Sequence, residues 1–220
     1  MPPAVVIPTL DEADNVAIAV RGALRALPGC VVLVVDDGSI DHTAEIAESA
    51  GAKVLRRTGA RGLGHAYRAG FAEVLREGFA PIYQMDADGS HDPAALPSLT
   101  GADLVLGSRW VAGGGTLRWG AGRRLLSRFG SLYARAWLAL PFRDVTGGFK
   151  CWKAELLERV AVETTEATGY AFQVETTLRA VRLGASVIEV PITFTEREHG
   201  VSKMSLEIAM EAAKVVPRLR

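Results

Sequence analysis

Short apolar runs that break off into acidic residues, spaced by stretches of helical periodicity, constrain this chain more than any other feature. Ala4-Val-Val-Ile7 leads into Pro8-Thr-Leu-Asp-Glu12, Val31-Val-Leu-Val-Val35 into Asp36-Asp-Gly-Ser39, and Ala80-Pro-Ile-Tyr-Gln-Met85 into Asp86-Ala-Asp88. A run that is apolar at every position suits a strand covered on both faces. Between the first two runs, Val16, Val20, Ala23, Leu24 and Leu27 recur at helical spacing, with Thr9 or Asp11 expected as the cap. Further on, the pattern predicts helices ending near residue 50, over 62–76 and over 93–99, and strands at 53–55 and 103–106. This alternation predicts an α/β fold, a mostly parallel sheet flanked by helices. In open sheets of that kind ligands gather beyond the carboxyl ends of the strands. Glu12, Asp37, Asp86 and Asp88 all fall at such ends.

Side chains on an extended chain alternate faces, so Asp86 and Asp88 are expected to point the same way. Two carboxylates aimed together repel unless a cation lies between them. Oxygen ligands suit Mg²⁺ or Mn²⁺, which complete their shells with water and substrate phosphates. A plainer reading also stands: Asp86, Asp88 and Asp92 only cap the helix that follows. No Gly-x-Gly-x-x-Gly follows the first strand and no Gly-x-x-x-x-Gly-Lys-Ser/Thr occurs, so both common phosphate cradles are missing. An acidic rim that holds a nucleoside diphosphate needs a divalent ion to reverse the local sign.

At 220 residues the chain suits a single domain, 1–220, with halves at 1–106 and 107–220. No apolar run approaches the ~20 residues of a membrane span. A strand pattern from residue 4 leaves no room for a leader peptide. Cys30 and Cys151 have neither metal-site nor disulfide-framework spacing, which points to a reducing compartment.

Lys plus Arg balances Asp plus Glu at 25 each, but the charges are segregated. From residue 104 to 143 there is no Asp, Glu or Lys, yet Arg109, Arg118, Arg123, Arg124, Arg128, Arg135 and Arg143 occur. Such a block attracts anions: phosphate, nucleic acid or anionic lipid. A solvated basic face is the alternative. Within it, Leu125, Leu126, Phe129, Leu132, Tyr133, Ala136, Trp137 and Leu140 form a wide apolar stripe on one predicted helix. Arg123 and Ser127 lie one turn apart on a flank; Arg124, Arg128 and Arg135 line another face. Either the stripe packs on a core or the helix lies in a membrane interface, as amphipathic helices with Arg opposite Trp, Phe and Leu do. Gly113-Gly-Gly115 and Arg197-Glu-His-Gly-Val-Ser-Lys203 read as mobile loops. A terminal helix over 205–219 is expected to dock on the sheet, on lipid or on a separate membrane subunit.

Pro8-Thr-Leu-Asp-Glu12, Val35-Asp-Asp-Gly-Ser39 with Asp41, and Asp86-Ala-Asp88 resemble the nucleotide-sugar motifs of inverting GT-A glycosyltransferases of the family-2 type. Further matches are Arg61-Gly-Leu-Gly64, Ser90-His-Asp-Pro93, Gly107-Ser-Arg-Trp110, Asp144-Val-Thr-Gly-Gly-Phe149, Gly169-Tyr-Ala-Phe-Gln173, Glu189-Val-Pro-Ile192 and the segment from Arg197 through Gly200 to Lys203. Together they narrow the resemblance to the polyprenol-phosphate (dolichol-phosphate) mannosyltransferases. Asp11 stands where that family more often has Asn.

The resemblance implies that Pro8, Leu10, Glu12, Val35 and Asp37 hold the nucleoside of the donor, together with Asp86, Ala87 and Asp88. It implies a Mg²⁺ or Mn²⁺ ion on Asp86 and Asp88, with Ser90 standing where some relatives carry Gln. His91 is expected to be a structural hydrogen-bonding group. Arg197 and Lys203 are implied to close over the diphosphate, and Arg109, Arg123 and Ser127 to hold the acceptor phosphate. With Asp88, these make the expected catalytic set. The implied reaction is transfer of mannose from GDP-mannose to a polyprenyl monophosphate at the cytoplasmic face of a membrane. A UDP-sugar donor carrying glucose or an aminosugar is the alternative within the family. A nucleic-acid-binding module fits poorly, because an acidic rim adjoins the arginine block and no base-stacking motif occurs.

Overall fold

The computed structural model describes residues 1–169, 171–196 and 215–220. The first half alternates as expected: β1 (Ala4–Thr9), α1 (Ala13–Ala26), β2 (Val31–Asp36), α2 (Thr43–Ser49), β3 (Lys53–Arg56), α3 (Leu63–Arg76) and β4 (Ile82–Gln84). A 3-10 turn at Pro93–Ser98 replaces the helix expected there. Then follow β5 (Leu104–Ser108), β6 (Gly115–Leu117), α4 (Ala121–Leu138), β7 (Lys150–Trp152), α5 (Ala154–Val160), α6 (Ala171–Arg182), β8 (Val187–Pro191) and β9 (Thr193–Thr195). Among the described residues the main sheet runs β3-β2-β1-β4-β7-β5-β8. Only β7 runs antiparallel to its neighbours, and β6 with β9 forms a separate parallel ribbon.

Period-two alternation sends the apolar strands to both faces. Ala4, Val6, Leu33 and Val35 pack under α3, α5 and α6, while Val5, Ile7, Val32 and Val34 pack under α1 and α2. Helix α3 comes unusually near the sheet at Gly70, where a Cβ would stand 2.6 Å from Val6 Cγ1 and 2.8 Å from Val35 Cγ2. A third cluster joins Ala134 and Leu138 of α4 to Val174 and Leu178 of α6 and to Val216, in the terminal 3-10 turn Val216–Leu219. The helix expected over 205–219 lies largely outside the described residues.

Three local expectations are corrected. Neither Thr9 nor Asp11 caps α1: Glu12 is the N-cap, and the Ala13 N–H donates instead to Asp41 Oδ2 (3.0 Å) from the β2–α2 loop. Asp11 has positive φ and accepts from the Ile40 N–H (3.0 Å), so it ties the two loops together. The glycines at 113–115 do not form a free loop, because Gly115 starts β6 and pairs with Thr193. Strand β4 stops at Gln84, two residues before Asp86.

Gly70→Ala should lower the unfolding free energy by roughly 1–3 kcal/mol through overpacking, despite the better helix propensity of alanine. Urea denaturation checks this, and an unchanged midpoint would mean that α3 shifts off the sheet without cost.

Candidate active site

The turns after β1 and β2 form one side of the rim. Thr9 and Asp36 are partners in the β1–β2 register. Asp36 accepts from Thr9 Oγ1 (3.3 Å), from the Ser39 N–H (3.1 Å) and from the Ser39 hydroxyl, so its carboxylate is committed to the turn. Asp37 is ion-paired with Arg57 and accepts from the Gly62 N–H at 2.6 Å, which places it at the mouth of α3. Nothing in the sequence marks Arg57 as this partner, since a lone Arg after a short strand carries no signal. Glu12 accepts from Asn15 Nδ2 (2.9 Å), and its own N–H donates to Thr43 Oγ1 (2.9 Å). Burial works against the charge of Asp41, but hydrogen bonds from Thr43 and Ala13 outweigh it and hold its pKa below the ordinary value. Pro8 and Leu10 are half-buried here. Val35 is fully buried in the core, so its side chain is closed to a ligand.

Asp86 and Asp88 lie in a bend beyond β4 rather than on an extended strand. The last ladder bond runs from the Met85 N–H to Val6 O (3.2 Å). Strand alternation therefore does not reach the pair, and Ala87 between them is buried in the cluster with Leu96 and Leu99. Asp88 Oδ1 accepts from the Ser90 N–H (3.1 Å), and Asp92 alone caps the next turn, accepting from the Ala94 N–H (2.9 Å). His91 is buried between Phe149 and Phe194, with ring centroids at 4.8 and 5.0 Å. Its Nδ1 accepts from the Asp86 N–H (3.1 Å), as expected of a structural group, which puts the ring proton on Nε2. Burial pushes its pKa down to about 4 against the pull of Asp88, so it is neutral at pH 7.

The residues present fit a divalent cation. Asp86, Asp88 and Ser90 offer oxygen only, and the buried Ser90 Oγ has no hydrogen-bond partner among the described residues. Among the described residues no set of three His, Cys, Asp or Glu side chains gathers there. Such a site leaves coordination positions for phosphate and water, as Mg²⁺ sites commonly do.

Arg109 follows directly after β5 and is buried. Its Nε and Nη2 donate to Asp144 Oδ2 and Oδ1 at 2.7 Å each, and its N–H donates to Oδ2 at 2.9 Å. Burial disfavours both charges, yet each holds the other: the Arg109 pKa lies above its ordinary value and that of Asp144 below. The guanidinium also stands 5.3 Å from the Phe194 ring and 5.7 Å from the Trp119 ring. Arg123, on the first turn of α4, lies over the other side of the same neighbourhood, 4.6 Å from Trp119, and pairs with Glu196. Trp119 and Phe194 meet edge to face at 5.1 Å. The chain His91–Phe194–Trp119 thus links the acidic bend to both arginines. Arg197 and Lys203 lie outside the described residues.

Helix α4 is turned opposite to an ordinary core helix. Ser127, Ser131, Ala134 and Leu138 face the protein, and Ser131 bonds Thr146 at 3.0 Å. Leu125, Leu126, Phe129, Leu132, Tyr133 and Trp137 are 40–58% exposed. Of the predicted stripe only Leu140, past the helix end, is buried. Arg124 and Arg128 are exposed and Arg135 half-buried along one margin of the apolar face. Among the described residues no helix is long and apolar enough to cross a membrane.

The family model "Glycosyl transferase family 2" matches residues 4–161. The chain is 44% identical over 97% of its length to an undecaprenyl-phosphate mannosyltransferase from Micrococcus luteus, covering 91% of that protein. It is 43% identical over 91% of its length to a polyprenol monophosphomannose synthase from Mycolicibacterium smegmatis, covering 80% of that protein. Its fold is similar to glucosyl-3-phosphoglycerate synthase from Mycobacterium tuberculosis, solved with Mg²⁺ and uridine diphosphate. The TM-score is 0.74 at 20% identity, with 99% of this chain and 79% of that one covered.

Asp144→Ala leaves the Arg109 charge buried without its carboxylate. Breaking a buried pair in this way costs roughly 3–5 kcal/mol, so the denaturation midpoint should drop sharply; a loss below about 1 kcal/mol would mean that water replaces the carboxylate.

Proposed function

The chain belongs to glycosyl transferase family 2, and from that premise we propose that it transfers mannose from GDP-mannose to a polyprenyl monophosphate with inversion, giving polyprenyl-phosphate-mannose and GDP. The observation that carries this reading is the position of Arg123. It stands over Trp119 where the acidic bend ends and the exposed apolar face of α4 begins. A lipid phosphate suits both neighbours, with its head at arginine and its chain along apolar surface. The names of the two mannose-transferring relatives support the sugar and the lipid.

Asp37, Glu12, Pro8 and Leu10 bind the nucleoside, with Arg57 releasing part of Asp37 as the ligand enters. Mg²⁺ or Mn²⁺ on Asp86, Asp88 and Ser90, when bound, neutralises the donor's diphosphate. Arg197 and Lys203 complete that neutralisation on the leaving side. Arg123 and Ser127 hold the acceptor phosphate in line behind the anomeric carbon, and Arg109 keeps the aromatic floor under it in place. A lipid phosphate oxygen forms the new bond to that carbon as the carbon–diphosphate bond breaks, and the electron pair leaves on GDP. The nucleophile is already anionic at neutral pH, so no strong base is needed.

The exposed face of α4 lies against the cytoplasmic surface of a membrane, its leucines and aromatics in the interface and its marginal arginines at the level of lipid phosphates. The free, buried thiols of Cys30 and Cys151 accord with a reducing compartment.

The reaction is tested with labelled GDP-mannose and a short polyprenyl phosphate. Labelled lipid should form and should vanish with a chelator or in Asp88→Ala at any donor concentration. Arg123→Ala should raise the KM for the lipid by roughly tenfold or more, as expected for a lost charged contact, with the donor KM little changed. Turnover only with a UDP-sugar would replace mannose in this reading.

Membrane contact is tested by flotation with anionic vesicles. Phe129→Asp with Leu132→Asp should abolish flotation while leaving the melting temperature nearly unchanged, because both side chains are exposed; unaltered flotation would assign membrane contact to another surface.

A further inference from the structure

Of the two arginines expected at the acceptor phosphate, one is fixed and the other exchangeable. The side chains of Arg109 and Asp144 are 5% and 0% exposed, and Nε and Nη2 both bind the carboxylate. Those of Arg123 and Glu196 are 21% and 31% exposed and meet through Nη1 and Oε1. Opening a buried ion pair is strongly unfavourable, whereas a pair in contact with water holds weakly. An incoming phosphate can therefore take Arg123 from its carboxylate, but not Arg109.

The arginine block over 104–143 contains no Asp or Glu of its own. The carboxylate on Arg123 is brought in from a position 73 residues away, just after β9. Its main chain keeps it there. The Glu196 N–H donates to Leu117 O at 2.9 Å, beside the pairing of Thr195 with Leu117 in the β6–β9 ribbon. The Thr195 N–H donates to Ser90 O at 3.0 Å, and Phe194 bridges to His91. The backbone leading into Glu196 is thus held from two sides, by β6 and by the acidic bend. The side chain can swing off Arg123, but its carboxylate stays within a side chain's length. A group tethered in this way competes at a high effective concentration.

We propose that Glu196 is a resident competitor at Arg123: it occupies the arginine in the empty site, yields it to the lipid phosphate, and retakes it once transfer has turned that phosphate into a diester. The inference rests on the acceptor reading of Arg123 given above, and it adds the group that limits how tightly substrate and product are held. A phosphate monoester carries a charge of about −1.5 to −2 at neutral pH. A carboxylate carries a single charge on two oxygens, so it gives way to the monoester and contends on even terms with the singly charged diester. Both ligands bind less tightly as a result, and the product is free to leave.

The test is calorimetric titration without sugar donor, using a short polyprenyl phosphate as substrate probe and its methyl diester as product probe. Glu196→Gln keeps the shape and removes the charge. Both probes should bind this variant about threefold to fivefold more tightly than wild type, the scale of one partly exposed ion pair. A carboxylate that merely orients Arg123 moves both affinities the other way. In the Arg123→Ala background the same exchange should leave both affinities unchanged, because the arginine competed for is gone. An equal gain there reduces Glu196 to through-space repulsion and overturns the inference, as does weaker or unchanged binding of either probe in Glu196→Gln. Glu196→Ala should show the same gains, and it decides alone if Glu196→Gln does not fold. Transfer of mannose by the wild type is scored separately. Transfer without the gains overturns the competition and leaves the lipid-mannose reading standing. Gains without transfer overturn the sugar and leave the competition standing, and binding of neither probe by any form overturns both.

Discussion

The buried pair of Arg109 and Asp144 is the interaction on which the arrangement of this site depends. A guanidinium taken out of water must keep a carboxylate in place, and the two here meet through three hydrogen bonds, one of them from the Arg109 main chain. Arg109 directly follows β5, and Asp144 lies in the loop that carries Gly147 and Gly148 towards β7. The pair therefore sets the height of that loop over the sheet. Ser131 reaches the same cluster from α4 through Thr146, so the helix is fixed to it as well. Glu189 on β8 accepts from the Arg143 and Asp144 N–H groups at 2.8 and 2.9 Å, which closes the frame.

Around that frame carboxylates collect where β1, β2 and β4 end, with Arg57 paired to Asp37 among them; Arg109, just after β5, and Arg123 of α4 lie beyond the aromatic rings, each with its own carboxylate, Asp144 and Glu196. Aromatic rings separate the two: His91, Phe194 and Trp119 stack edge on face between Asp86 and Arg123. Low-dielectric walls of this kind strengthen charge interactions inside the site. His91 contributes to the wall as a neutral ring because burial keeps its proton off. A substrate that carries a diphosphate at one end and meets a lipid phosphate at the other needs both signs within one cleft.

The inversion of α4 is the second device. A helix that packs on a core shows its large apolar residues inward; this one shows two serines, an alanine and one leucine (Leu138) inward and its other leucines and aromatics outward. Small inward residues let the helix sit close to the Asp144 cluster. The large residues then form a contiguous exposed face, and faces of that kind mark an interaction surface. On the proposed reading, the same element carries both the arginine for the acceptor phosphate and the surface through which a lipid arrives.

The sheet was legible in the residues because strands buried on both faces are apolar at successive positions, as β1 is over Ala4–Pro8 and β2 over Val31–Val35. The carboxylates at the strand ends followed from that placement alone. Periodicity could not tell which way the stripe of α4 faces, since a core and a bilayer ask for the same side chains. Nor could it find the cap of α1, which Asp41 supplies from another loop, or the partner of Asp37, because Arg57 lies twenty residues away along the chain. The extended strand expected through Asp86 and Asp88 does not reach them, since the ladder stops at β4 and Ala87 between them is buried in the cluster with Leu96 and Leu99. Arg123 and Glu196 look unrelated at 73 residues apart; only the fold makes them partners. Local pattern thus determined which segments are buried and where charge must surface, because burial is read residue by residue. Tertiary structure decided which charges and donors meet, because a hydrogen bond or ion pair depends on positions that the chain brings together only when folded.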